Sequence, residues 1–73
     1  MKNLKERTLA RQVLRAKLGF APALENIVPL ESSGHFGQCN YVLFQIKNHD
    51  DILYRANIDG YLSIEKNGKE INL

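Results

Sequence analysis

The spacing of hydrophobic positions changes once along this chain, from helical to alternating. Between Asn3 and Leu18 there is no glycine or proline, and Leu, Arg, Lys, Ala, Gln and Glu dominate, all good helix formers. Wound at about 100° per residue, Leu9, Ala10, Val13 and Leu14 share one broad face, with Leu4 and Leu18 at its margin. Gly19 offers a left-handed stop and Pro22 lies just beyond it, so the pattern predicts one helix over residues 3–18.

After Asn40 the period becomes two. Val42, Phe44 and Ile46 point one way, and Tyr41, Leu43, Gln45 and Lys47 the other. Ile52, Tyr54, Ala56 and Ile58 alternate with Leu53, Arg55 and Asn57, and Leu62 and Ile64 with Tyr61, Ser63 and Glu65. Such alternation predicts antiparallel strands buried on one face, over residues 40–47, 51–58, 61–66 and 69–73. Asn48-His49-Asp50-Asp51 and Asp59-Gly60 read as connections. Asn67-Gly68 is a strong hairpin signal, because a type I′ turn needs φ > 0 at both central positions.

Residues 20–39 read as irregular. Pro22 suits the opening of a short helical turn through Asn26. Ile27 to Leu30 reads as extended, with Pro29 restricting it to a sheet edge or to a segment outside the ladder. The expected architecture is α+β: one N-terminal helix packed on an antiparallel meander of about four strands, in a single domain spanning 1–73.

Composition narrows the class. Seventy-three residues, 44% hydrophobic and 25% charged, make an ordinary globular composition and exclude intrinsic disorder. A chain this short buries only about 60% of the surface its unfolded form exposes, so its stability is modest. One cysteine cannot close an internal disulfide, and MKNLKERTLARQ lacks the apolar run of a signal peptide. No apolar stretch approaches the roughly 20 residues that span a bilayer. The expectation is a cytoplasmic chain without a membrane partner.

Charge is distributed unevenly. Residues 1–18 carry six basic side chains (Lys2, Lys5, Arg7, Arg11, Arg15, Lys17) against Glu6, a balance of +5, whereas the remainder carries four basic groups against seven acids, or −3. Such polarity can steer an acidic partner towards one end. Arg7, Arg11 and Arg15 recur every four residues and form a stripe that drifts about 40° per step, a footprint suited to phosphates or to a carboxylate-rich protein.

The sequence SSGHFGQCN, Ser32 to Asn40, gathers the single cysteine, one of two histidines and two of five glycines. Cysteine catalysis requires a thiolate, a base within hydrogen-bond reach and a group that orients the base. Here both reactive side chains would share one glycine-rich loop, which positions them poorly. A structural zinc site needs paired ligand spacing such as C-x₂-C, and His35, Cys39, His49, Asp50 and Asp51 do not supply it. The lysine and the strand-to-helix context of a phosphate loop are also missing. The stretch is better read as a turn, with no catalytic residue, metal or cofactor expected and no enzyme implied. Phe36, an aromatic residue between two glycines, either folds onto the core or projects as a contact residue.

The outward sheet face offers a third surface. Tyr41, Leu43, Leu53, Arg55 and Tyr61 are expected on it, a mixture that interface centres favour, unless residues 20–30 wrap across and cover it. An RNA-recognition module would need two helices in a βαββαβ order, and a helix-turn-helix protein a second, recognition helix. The expected function is therefore a small non-enzymatic interaction module. It would act as an adaptor or inhibitor that occludes a protein or a protein–nucleic-acid complex, as phage-encoded anti-CRISPR proteins of similar build do. The expected contact residues are Arg7, Arg11, Arg15, Phe36, Tyr41, Leu43, Leu53, Arg55 and Tyr61. The alternative is direct electrostatic nucleic-acid binding through the basic helix. KEINL is expected to form an exposed strand edge, which offers a second copy of the chain a place to pair.

Overall fold

The helix ends where the glycine allows it to end. In a computed structural model that describes residues 1–35 and 37–73, with the backbone alone at His35, helix α1 spans Leu4–Leu18. Gly19 closes it at φ 79°, its N–H donating to the Arg15 carbonyl. A short 3₁₀ turn follows at Leu24–Asn26. Five strands then run as an antiparallel meander in the order β1-β2-β3-β4-β5: β1 Ile27–His35, β2 Gln38–Ile46, β3 His49–Asn57, β4 Leu62–Lys66 and β5 Lys69–Asn72.

The sheet thus has five strands rather than about four, and the added strand is β1, in the segment expected to be irregular. Pro29 lies in it, and β1 is indeed an edge strand, where a missing N–H is tolerated. Its pairing with β2 shifts register between Pro29 and Glu31 and again between Ser33 and Gly34. Each shift breaks the two-residue period, which hides the strand from an alternation test. Of the stretch SSGHFGQCN, residues 32–35 accordingly end β1 and residues 38–40 begin β2. The histidines expected in loops are strand residues too, His35 the last of β1 and His49 the first of β3.

The core forms where the helix meets the inner sheet face. Leu9, Ala10, Val13 and Leu14 pack against Ile27, Val42, Phe44, Ile46, Tyr54, Ala56 and Leu62, with Cys39, Ile52 and Ile64 partly buried beside them. Phe44 and Tyr54, cross-strand partners, stack with ring centroids 5.1 Å apart. Burying a side chain of this size contributes about 1.5–3 kcal/mol, so the eleven core residues among those described make up a large part of the stability of so small a chain. Leu4 and Leu18, expected at the margin, are more than a third exposed, and so is Ile58.

The turns behave as their residues dictate. Asn67 and Gly68 both adopt positive φ, 54° and 79°, as a type I′ hairpin requires. Among the described residues no helix is long and apolar enough to cross a membrane.

Candidate interaction face

Two side chains of the arginine stripe are committed to holding the fold. Arg7 donates through Nε to the Lys2 carbonyl at 2.8 Å and through one terminal nitrogen to the carbonyls of Leu24, at 2.9 Å, and Ile27, at 2.6 Å. Arg11 donates to the Pro22 carbonyl at 3.2 Å. Both side chains therefore clamp the 3₁₀ turn and the start of β1 against α1. Arg15 alone is left exposed at the C-terminal end of the helix. The three arginines are not one uniform stripe.

The clamp also settles where residues 20–30 run. The Asn26 carbonyl accepts the Lys47 N–H at 2.7 Å, and with the arginine bonds this keeps residues 20–26 beside the helix; from Ile27 the chain joins the sheet as β1, so the segment does not wrap across the outer face.

That outer face is built row by row from the register. Ser33 pairs with Tyr41 and Tyr41 with Asn57, while the Asn57 N–H bonds the Tyr61 carbonyl at 2.9 Å. The next row runs Glu31, Leu43, Arg55, Ser63, Asn72 across all five strands. A third row holds Val28 opposite Gln45 and, on the other side, Leu53 opposite Glu65 and Glu65 opposite Glu70. All five residues expected on this face, Tyr41, Leu43, Leu53, Arg55 and Tyr61, are thus brought together.

The face is preorganised. The Arg55 guanidinium lies over the Tyr41 ring, 4.5 Å from its centroid, and its Nε reaches the Asn57 side-chain oxygen at 3.4 Å. Leu43 and Leu53 are half-buried, Tyr61 is 41% exposed, and Ser63 is buried between its row neighbours. A shallow depression of about 140 Å³ opens among Leu43, Leu53, Arg55, Ser63, Glu65 and Glu70. Three acids, Glu31, Glu65 and Glu70, surround one arginine, so the face is apolar at its centre and acidic at its rim. Glu31 and Val28 come from β1, and sequence reasoning missed them because the bulge at Leu30 reverses the alternation there.

Cys39 faces the other way. Its thiol packs at the core margin and donates to the Tyr41 carbonyl at 3.4 Å. Burial, and secondarily the Glu6 carboxylate, push the thiol pKa above its ordinary value, the opposite of what a nucleophile requires. Among the described residues no group of three or more His, Cys, Asp or Glu side chains is placed to hold a metal ion. An open groove of about 490 Å³ runs between α1 and the sheet, lined chiefly by Leu4, Thr8, Leu9, Gln12, Cys39 and Ile58. Lys5 bridges one end of it to the Gly37 carbonyl. Phe36, the other expected contact residue, lies outside the described residues.

Compared with protein-family models, with curated protein sequences and with solved structures, the chain matches none.

Proposed function

We propose that this chain is a non-enzymatic interaction module, an adaptor or inhibitor that occludes a protein surface with the outer face of its sheet. The convergence of Tyr41, Leu43, Leu53, Arg55 and Tyr61 on one uncovered face carries the reading. Tyrosine and arginine supply large contact areas, and their mutual stacking lowers the entropy lost on binding. The acidic rim complements a partner with basic groups around an apolar centre. The neutral, part-buried thiol supports the non-enzymatic part of the reading.

The discriminating experiment compares face and core. Leu43→Ala and Tyr61→Ala should weaken capture of the partner at least tenfold while moving the melting temperature little, because neither side chain belongs to the buried cluster. Phe44→Ala, one residue along and on the opposite face, should cost about 3–5 kcal/mol and unfold much of the population. Partner capture that survives both face substitutions refutes the reading.

A second reading, direct nucleic-acid binding by α1, draws support from the exposed cations Lys2, Arg15 and Lys17. None of them takes part in an ion pair among the described residues. It requires a mobility shift at low salt that disappears in the Arg15→Ala/Lys17→Ala double variant. A shift unaffected by that variant, or no shift at all, removes it.

A further inference from the structure

We infer that β5 is a self-complementary edge through which two copies of this chain pair, with Ile71 of each copy facing Ile71 of the other. The phase of the free edge follows from the ladder. The Leu73 N–H bonds the Leu62 carbonyl at 2.8 Å, and opposed pairs in an antiparallel ladder alternate between bonded and unbonded. Ser63 and Asn72 are therefore an unbonded pair, Ile64 and Ile71 a bonded one, Glu65 and Glu70 unbonded, and Lys66 and Lys69 bonded beside the two-residue turn. The N–H and C=O of Glu70 and Asn72 consequently point away from β4 and are free to pair.

Only certain two-fold registers match that phase. Centring on Glu70 would set two glutamates directly opposite one another, next to Glu65 of each copy, and like charges so placed repel. Centring on Ile71 sets Glu70 against Asn72 of the second copy, twice, and forms four backbone hydrogen bonds. It also puts Ile71 against Ile71 and the Lys69 stem against Leu73. Ile71 is 58% exposed and Leu73 40% exposed, on the inner side of the sheet, and α1 packs chiefly on β1, β2 and β3, so no helix obstructs the approach. The opposite edge differs: β1 carries Pro29 and two register shifts, features that discourage strand addition. Pairing through β5 yields one ten-stranded sheet with both helices on one side and both outer faces free on the other.

The test is sedimentation across a dilution series from roughly 10 μM to 1 mM, the range in which four edge hydrogen bonds and two small apolar contacts should act. The weight-average mass is expected to rise from 8.3 kDa towards twice that value. Glu70→Pro removes an outward N–H that the monomer does not use, and should stay monomeric at an unchanged melting temperature. Independently, Ile71→Cys in a Cys39→Ser background should oxidise readily to a linked dimer. Facing residues of an unbonded pair have Cα atoms about 4.5 Å apart, within disulfide reach. Glu70→Cys in the same background should not. A mass of 8.3 kDa at every concentration, or linkage at position 70 in place of 71, overturns the inference.

Discussion

Arg7 shows how a charged residue can be read correctly as a cation and wrongly as a free one. Its three carbonyl acceptors come from before α1, from the 3₁₀ turn and from the first residue of β1. Removing the guanidinium leaves part-buried carbonyls unsatisfied, so Arg7→Ala should destabilise the chain by about 1–3 kcal/mol. Arg15→Ala, at an exposed site, should stay within about 0.5 kcal/mol. Urea denaturation of the two variants measures the difference. Titration adds a second residue-scale expectation. Burial raises the pKa of Cys39 above 9.0 and that of Tyr54 above 10.0, with Glu6 and Asp51 adding smaller effects in the same direction. Both groups are neutral when protonated, and the unfolded chain releases its protons first as pH rises. The contribution of these two groups to stability is therefore full below about pH 9 and declines as pH climbs through the folded values. In Cys39→Ala the decline should begin only above about pH 10, as Tyr54 titrates, and urea midpoints between pH 7 and 11 would show it.

Among the elements, the β1–β2 hairpin is the one whose sequence conceals it. Two register shifts interrupt its alternation and Pro29 argues against a central strand, so only the extended character of Ile27 to Leu30 and its edge position were legible. Gly34 is the sequence feature most closely tied to the hairpin. A methyl group there would collide with the Gln38 backbone carbonyl across the strand pair, a contact that backbone atoms cannot easily relieve. Gly34→Ala should cost about 1–3 kcal/mol and lower the thermal midpoint, whereas Gly60→Ala meets no neighbour and is penalised only by its positive φ of 94°. Helix α1 and the β4–β5 hairpin were legible because their signals are local: a glycine stop and an Asn-Gly turn.

At the scale of the molecule, the uneven charge of the sequence becomes a separation between two sides. Residues 1–18, the helix and the residues just before it, carry +5, while Glu31, Glu65 and Glu70 rim the outer sheet face. A basic partner would be steered to the sheet and an acidic one to the helix. Association through the sheet should therefore slow as salt rises, because at 0.1 M the screening length is already about 10 Å. Neutralising the rim by Glu31→Gln, Glu65→Gln and Glu70→Gln should reduce the association rate constant at low salt and flatten its salt dependence, with little change in the dissociation rate. Stopped-flow or surface-plasmon measurements separate the two rates.

The sequence alone determined the helix and its buried face, the last four strands, the Asn-Gly turn and the shared face of Tyr41, Leu43, Leu53, Arg55 and Tyr61. Each is encoded by periodicity or by a residue with a restricted backbone, and such signals need no knowledge of distant contacts. Tertiary structure decided the fifth strand, the clamping role of Arg7 and Arg11, and the uncovered state of the outer face. Those depend on where residues 20–35 pack, and bulges and backbone carbonyl acceptors leave no periodic trace in the side chains.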